Sequence, residues 1–324
     1  MRQQVTRRDV ARRDSVLAVA RAQAVRSGGS KFRPIHSSTR SSAQTMSHKE
    51  PSLGACCAAE LLGTFVLIFF GCGAVHVAVV LGGLSGTWQV ATVWGFGVAI
   101  AVYAFGSVGG AHINPAVTIA SMCFGGFDAS RVLPYIAAQL AGAFLAAFVL
   151  HVIFSGSIAA YEEIHRIERG APGSEVTASM YGEYFPNPAV EFHGAGAAAR
   201  LENLSTASAA FAEIVGTAIL VFVVFALTDA RNHGGPGEKL APFFIGMTVA
   251  SIIVVIGPLT QSCLNPARDF GPRLFASLAG WGPFAWTGQT GLASILAVYL
   301  AAPIIGGVLG AGLWTNVVAR WRAE

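Results

Sequence analysis

The fold of this chain is decided by two short stretches, Gly109-Gly110-Ala111-His112-Ile113-Asn114-Pro115-Ala116-Val117-Thr118 and Leu264-Asn265-Pro266-Ala267-Arg268-Asp269-Phe270-Gly271-Pro272-Arg273. Each contains Asn-Pro-Ala and opens an apolar stretch, about 114–124 and about 265–277, that is too short to cross a bilayer. Asn is a favoured helix N-cap, and Pro suits the first helical turn. We therefore predict two half-helices that enter the membrane part-way, beside irregular backbone that lines a cavity or is buried in protein.

Six longer apolar segments surround these two stretches. Each has about 20 residues, which is enough to cross a hydrocarbon core of about 30 Å as a helix. The chain of 324 residues is 53% hydrophobic and 12% charged, whereas a soluble domain has about 25% charged residues. This predicts an all-α membrane protein with six transmembrane helices and two re-entrant half-helices. The six segments run roughly over 55–80, 88–108, 133–154, 207–228, 241–259 and 293–317.

The two halves of the chain repeat one another. Ala-Glu-Leu-Leu-Gly-Thr begins at Ala59, and Ala-Glu-Ile-Val-Gly-Thr begins 153 residues later, at Ala212. The two Asn-Pro-Ala motifs are 151 residues apart. We predict a first repeat over about 52–154, an outer loop over about 155–206 and a second repeat over about 207–319. Three spans per half make the repeat an inverted one, and such repeats place their functional site near the middle of the membrane.

Residues 1–45 differ from the rest of the chain. They hold ten Lys/Arg and two acids, a net charge of +8, whereas residues 46–324 carry −4. This Arg/Ser-rich extension lacks the apolar core of a secretory signal peptide. It is either an organelle transit peptide or a stretch upstream of a natural start at Met46, and we expect it to be disordered or absent from the mature chain. The channel domain then spans residues 46–324.

Both motif stretches resemble the aquaporin superfamily, the major intrinsic proteins, over about residues 52–320. Asp269 and Arg273 after the second motif are similar to the glycerol facilitator branch, where water-only members have small or neutral residues. The resemblance implies an aquaporin-like fold, a passive channel with one pore per subunit, and a homotetramer in the lipid bilayer. No nucleic-acid partner is expected.

The paired motifs imply a pore. Asn114-Pro115-Ala116 and Asn265-Pro266-Ala267 would meet at mid-membrane, each with about half a positive charge at the helix N-terminus. The two Asn amides would offer N–H donors to a passing molecule. Water oriented toward both donors cannot relay protons, and the positive ends repel cations. A charged Arg268 within a membrane segment is a functional residue by default, and Asp269 is expected to pair with Arg273, four residues on.

By family alignment, the outer constriction would consist of Trp88, Ile253, Ser262 and Arg268. The glycerol facilitator pattern is Trp, Gly, Phe and Arg, so the second and third positions depart from it. The set is similar to that of the plant nodulin-like branch, and it suits small polyols and urea. Trp88 as an interfacial anchor is the competing interpretation.

The resemblance also implies roles for the backbone before each motif. The carbonyl groups of Gly110, Ala111, His112, Ser262, Cys263 and Leu264 would line the pore. Glu60 and Glu213 would accept hydrogen bonds from loop N–H groups and so aim those carbonyls. His112 is expected to be structural rather than a pH gate, and Cys263 is a hypothetical site of mercurial block.

The sequence as a whole predicts a passive channel for glycerol, urea, small polyols and water that excludes protons and ions, with metalloid hydroxides as further candidates. A mainly water-selective channel is the alternative, and an ion-coupled transporter is a weaker one. Lys and Arg in the short flanks predict cytoplasmic termini in the plasma (inner) membrane. We find no metal-ligand cluster, Ser-His-Asp set or phosphate-binding loop, so we expect no metal, cofactor or enzymatic activity.

Overall fold

The computed structural model describes residues 51–188 and 204–321, so the predicted N-terminal extension over 1–45 lies outside the described residues. Six helices are long and apolar enough to cross a membrane, which confirms the predicted spans. The elements are α1 (Leu53–Leu81), α2 (Thr87–Gly109), α3 (Pro115–Phe124), α4 (Ala129–His165), α5 (Glu175–Ala178), α6 (Thr206–Thr228), α7 (Ala241–Thr260), α8 (Pro266–Ala276), α9 (Phe284–Thr287) and α10 (Leu292–Trp321). A π-helical turn over Ser277–Trp281 follows α8, and two more interrupt α10 at Ala297–Ala301 and Trp314–Val318.

The half-helices α3 and α8 begin where the motifs predict. Asn114 and Asn265 are the N-cap residues, with extended backbone, and each side-chain oxygen accepts the N–H of the residue two positions on. Proline occupies the first helical position in both, where its missing N–H costs no hydrogen bond. Both ends therefore follow from local sequence chemistry.

The spanning helices pack as two related sets. In the first half α1 contacts α2 and α4, and in the second half α6 contacts α7 and α10. The half-helices join the two sets, because α3 packs against α10 and α8 packs against α4. Each half-helix is therefore held by a spanning helix of the other half.

The two halves approach most closely where α2 crosses α7. A Cβ atom on Gly95 would lie 2.7 Å from the carbonyl oxygen of Gly246, and one on Gly246 would lie 2.2 Å from the carbonyl oxygen of Gly95. Only glycine at both positions permits this backbone contact, as expected for helices packed in a membrane. The crossing brings the constriction residues of both halves together.

The predicted outer loop over 155–206 is wrong in its first part. Helix α4 continues to His165, and its last residues contain good helix formers rather than turn residues. The chain then folds back over the membrane domain, so that Tyr181, Glu183 and Phe185 are buried. Asn187 of the third Asn-Pro-Ala copy donates from its backbone to Leu259 and from its side chain to Gly257 at the end of α7. This segment is therefore part of the packed domain.

Candidate functional site

Two cavities lie between the half-helices and the spanning helices. The larger holds about 700 Å³ and runs from both motifs to the ends of α6 and α10. The smaller, of about 230 Å³, opens beside the α1–α2 turn and the end of α7. Trp94, Ile253 and Arg268 line both cavities. These three residues, which we term the constriction, therefore mark where the two cavities meet.

The motif asparagines bind one another's loops. The Nδ2 atom of Asn114 donates to the carbonyl of Leu264 at 2.8 Å, and Nδ2 of Asn265 donates to the carbonyl of Ile113 at 2.8 Å. Each amide thus spends one N–H on the opposite half and retains a second. Both asparagines line the larger cavity, so the remaining N–H groups are donors for its contents.

The backbone before each motif follows the same unusual path in both halves. Ala111 and Ile113 have φ values of 45° and 44°, and Ser262 and Leu264 have values of 63° and 56°. Left-handed backbone is costly for side chains other than glycine and must be held by its surroundings. Here it turns successive peptide groups of both loops along the larger cavity, which both loops line.

Most of the predicted pore-lining carbonyls lie along this path. Within residues 51–188 and 204–321, hydrogen bonds reach the carbonyl of Leu264, which binds Asn114, but not those of the other predicted positions. All of these residues line the larger cavity. Their free lone pairs are acceptors for a solute. The unengaged carbonyls are those of Gly110, Ala111, His112, Ser262 and Cys263.

Glu60 and Glu213 hold the two loops in place. Glu60 accepts the backbone N–H groups of His112 and Ile113, both at 2.7 Å. Glu213 accepts those of Cys263 and Leu264, both at 2.9 Å. Both carboxylates are fully buried, and a buried carboxylate is tolerated only with such donors. Their geometry is that of the predicted loop supports.

The constriction itself is formed by residues from both halves. The guanidinium carbon of Arg268 lies 4.4 Å from the ring centroid of Trp94, a cation–π contact. Ile253 is 7% exposed and belongs to the same apolar cluster as Trp94. The constriction therefore has one aliphatic wall and one aromatic wall that is partly covered by the guanidinium.

Trp88 does not belong to this group. It is the second residue of α2 and 51% exposed, whereas Trp94, six residues on, is 6% exposed and touches Arg268. The alignment that assigned Trp88 to the constriction is therefore corrected to Trp94. The position of Trp88 at a helix end is that of an interfacial residue.

Glycine in α1 makes room for the Trp94 ring. A Cβ atom on Gly71 would lie 2.1 Å from Cε3 of Trp94. The ring therefore rests directly on the α1 backbone, and Gly71 fixes how far it projects into the channel. Neither Gly71 nor Trp94 was among the predicted site residues.

Arg268 has two partners from the folded-back segment. Its Nε lies 2.8 Å from Oε1 of Glu183, and its Nη1 donates to the carbonyl of Tyr181 at 3.1 Å. The contact with Glu183 is a charge contact rather than an aligned hydrogen bond, because neither carboxylate oxygen has a hydrogen-bond partner among the described residues. Arg268 and Glu183 are both buried, so each provides the counter-charge of the other.

Asp269 and Arg273 hold Glu183 in position. Nε and Nη2 of Arg273 donate to Asp269 at 2.9 and 2.7 Å, which is the predicted pair. Asp269 also accepts the backbone N–H of Glu183 at 2.6 Å, and Arg273 donates to the carbonyl of Glu183 and to that of Ala285. These two residues therefore act on the constriction through Glu183 and Arg268.

His112 and Cys263 stand beside the pathway. The His112 ring contacts Thr118 Oγ1 at 3.2 Å and packs against Phe127 and Tyr135, as a structural histidine does. Cys263 is buried, lines the larger cavity, and its thiol contacts the carbonyl of Asn265 at 3.3 Å.

An ion pair closes off the first turn after α6 at the wide end of the larger cavity. Asp229 accepts Nε and Nη2 of Arg231 at 2.9 and 2.8 Å and the indole N–H of Trp314 at 3.0 Å. Hydrogen bonds from Arg231 hold the pKa of the Asp229 carboxyl well below its usual range. Elsewhere in the described chain, no group of three or more His, Cys, Asp or Glu side chains could hold a metal ion.

Sequence reasoning missed Glu183, Gly71 and Trp94. The signal for Trp94 was its place in the apolar interior of α2 rather than at the end, where tryptophan often anchors a helix in the interface. No local signal marks Glu183, which meets Arg268 across 85 positions of sequence.

Comparison with known proteins agrees with this architecture. Residues 46–314 match the Major intrinsic protein family, so the chain belongs to that family of membrane proteins.

Among its relatives are two glycerol uptake facilitator proteins. The one from Pseudomonas aeruginosa is 44% identical over 270 residues, which cover 83% of this chain and 91% of the relative. The one from Haemophilus influenzae is 42% identical and is covered to 96%. A propanediol uptake facilitator from Salmonella typhimurium is 41% identical over 83% of this chain and 96% of its own length. The crystal structure of the aquaglyceroporin from Plasmodium falciparum matches with a TM-score of 0.69 at 26% identity, over 84% of this chain and 99% of that one.

Proposed function

We propose that this protein is a passive channel for glycerol, urea, other small uncharged solutes and water. The observation that carries the proposal is the meeting of two cavities at Trp94, Ile253 and Arg268. Free carbonyls and Asn N–H groups offer hydrogen bonds along the larger cavity, and Ile253 offers an apolar contact. The names of the relatives, glycerol and propanediol uptake facilitators, support the same class of solute.

Protons and ions are excluded by charge and by orientation. The N-termini of α3 and α8 meet where Asn114 and Asn265 exchange hydrogen bonds, and each end carries about half a positive charge. A water molecule there turns its oxygen toward the free N–H groups and cannot pass on a proton. Arg268 adds a full positive charge at the constriction.

A mainly water-selective channel is the second candidate. Ile253 takes a place where glycerol facilitators have glycine, and the guanidinium of Arg268 covers part of the Trp94 ring. Both features narrow the passage. They favour water over larger solutes if Ser262, which is smaller than phenylalanine, does not restore the lost width.

Ion-coupled transport receives less support from the charged residues. Glu60 and Glu213 are engaged by loop N–H groups, and Arg268 is paired with Glu183. An ion- or proton-binding residue would need to be free to change its partner during transport. Solute flux should therefore be unaffected by a proton or sodium gradient across the membrane.

The deciding experiment is stopped-flow light scattering on proteoliposomes with protein-free liposomes as control. Shrinkage in an impermeant osmolyte measures water flux, and re-swelling in glycerol measures solute flux. Fast re-swelling that is lost in Trp94→Ala or Ile253→Trp, but kept in Trp88→Ala, supports a glycerol channel with this constriction. Fast shrinkage without glycerol entry would identify a water channel, and neither response would refute both.

Cys263 gives a chemical probe of the same pathway. We propose that mercury blocks the channel at Cys263, because this thiol belongs to a residue lining the larger cavity close to the second motif. Cys263→Ser should abolish mercury sensitivity while Cys123→Ser, at an exposed position, should leave it intact. The idea fails if the first variant is still blocked.

The assembly and its placement rest on the family resemblance and the flanking charges. We propose a homotetramer in the plasma (inner) membrane with one pore per subunit. Arg131, Arg231, Lys239 and Arg320 follow or precede spanning helices on one predicted side, which places the termini in the cytoplasm. Chemical cross-linking in membranes should give a four-subunit product, and a C-terminal tag should resist protease added from outside.

A further inference from the structure

The constriction borders a hydroxyl group that the chain leaves unused. Ser262 is 4% exposed and lines the larger cavity, and its Oγ is buried without a hydrogen-bond partner in the described chain. The neighbouring Thr260 hydroxyl, by contrast, donates to Glu213 and accepts the N–H of Ser262. A buried polar group without a partner is rare and calls for an explanation.

Ser262 stands next to the aliphatic wall of the constriction. A Cβ atom on Gly257 would lie 3.3 Å from Cγ2 of Ile253 and 4.0 Å from Cβ of Ser262. Both side chains therefore flank one glycine of α7. Position 262 departs from the phenylalanine of the glycerol facilitator pattern, so a polar group occupies a place where an aromatic wall is expected.

The two polar side chains at this level differ in what they accept. The guanidinium of Arg268 is a donor only, whereas a serine hydroxyl both donates and accepts. Arg268 spends Nε on Glu183 and Nη1 on Tyr181, and Nη2 makes no hydrogen bond within the described residues. A solute with polar atoms around its whole outline can bind Nη2 and Ser262 together. A solute with an apolar end leaves one of them unpaired.

We propose that the Ser262 hydroxyl binds the permeating solute and makes this channel favour molecules that are polar on every side, such as urea, over diols with an apolar end, such as 1,2-propanediol. The inference rests on the proposed channel function and concerns its solute preference. Rotation about one side-chain bond brings Oγ toward the cavity that Ser262 already lines. The solute then supplies the hydrogen bond that the chain does not.

The test is the ratio of urea to 1,2-propanediol permeability in proteoliposomes. Ser262→Ala removes the hydroxyl and some volume, and Ser262→Cys keeps the volume but replaces the hydroxyl by a weak hydrogen-bonding group. Ser251→Ala is the matched control, because Ser251 is an exposed residue of α7 whose hydroxyl binds the carbonyl of Met247. Glycerol re-swelling is measured first for every protein.

The expected result is a fall in the urea to 1,2-propanediol ratio of about fivefold in both Ser262 variants, the size of one net hydrogen bond. The Ser251 variant should keep the wild-type ratio. An unchanged ratio overturns the inference, and a change in the alanine variant alone does so too, since it reports added space. Loss of glycerol flux in both Ser262 variants would assign a structural role and overturn it as well. Absence of glycerol flux in the wild type would instead refute the proposed function itself.

Discussion

The two halves of the membrane domain hold their loops in nearly the same way but add different groups to them. In the first half Glu60 binds two backbone N–H groups and the amide of Gln139. In the second half Glu213 binds two backbone N–H groups and the hydroxyl of Thr260. The shared part turns the carbonyls along the cavity, so it builds the pathway itself.

The halves diverge three residues after each motif asparagine. The first half has Val117 at that position, and the second has Arg268. Arg268 requires Glu183 as a counter-charge, and Glu183 in turn is held by Asp269 and Arg273. The asymmetric part therefore chooses among solutes, and it is placed in one half because a single constriction needs a single charge.

Making the second half resemble the first should have the largest effect. Arg268→Val leaves Glu183 buried without its cation, which should cost about 3–5 kcal/mol of stability. Chemical denaturation of the protein in detergent measures this loss. The control is Arg268→Val combined with Glu183→Gln, which removes the uncompensated charge and should recover most of the stability. A double variant as unstable as the single one would contradict this role of Glu183.

Removing the third partner of each loop-supporting glutamate tests whether the two supports are equivalent. Gln139→Leu loses bonds to Glu60 and Thr118, and Thr260→Val loses bonds to Glu213 and Ser262. Each should lower the unfolding free energy by about 1–3 kcal/mol, because a buried acceptor or donor is left unpaired.

The matched control for these variants is Thr248→Val. Thr248 lies on the exposed side of α7, and its hydroxyl binds only the carbonyl of Phe244. Its replacement should change stability by less than about 0.5 kcal/mol. If Thr260→Val is as mild as this control, the hydroxyl on Glu213 does not support the second loop.

Gly71→Ala tests the contribution of the first half to the constriction. The added methyl group would collide with the Trp94 ring and should push it into the channel, at a cost of about 1–3 kcal/mol. Glycerol re-swelling should slow severalfold while Arg268 and its partners remain untouched. Gly106→Ala is the control, because its Cβ would meet only Val102 at 3.6 Å. Equal fluxes in the two variants would show that Gly71 does not position Trp94.

The smallest effect is expected where α6 ends, at Asp229, since the corresponding end of α1 has an uncharged Gly82 cap. The folded-state pKa of Asp229 is lowered by Arg231, so its stabilisation is complete above the unfolded-state pKa of about 3.9. It is lost as the pH falls through the lower folded-state pKa. Asp229→Asn should therefore be less stable than wild type by a constant amount from pH 5 to 8.

Thermal unfolding across pH 3–8 measures this difference, which should shrink below about pH 4. Arg231→Gln removes the same ion pair from the other side and should reproduce the pattern. A stability difference that grows as the solution becomes more acidic would contradict the assignment.

The segments that were predicted well depend on local chemistry. Six spans and two half-helices follow from hydrophobic length, Asn caps and Pro at the first helical turn, all of which act within a few residues. The pairing of Asp269 with Arg273 follows from helical spacing. The error at Trp88 arose because two tryptophans six residues apart both fit a family pattern, and only packing against Gly71 distinguishes Trp94.

The sequence by itself determined that this chain crosses the membrane six times, that its halves are inverted copies, and that two asparagines cap half-helices. These features depend on burial length and on caps that a stretch of about 20 residues carries by itself. Only the tertiary structure decided which residues form the constriction. Glu183 reaches Arg268 across 85 positions, and Trp94 reaches it across 174. Such contacts depend on how helices of both halves pack together, which no local pattern encodes.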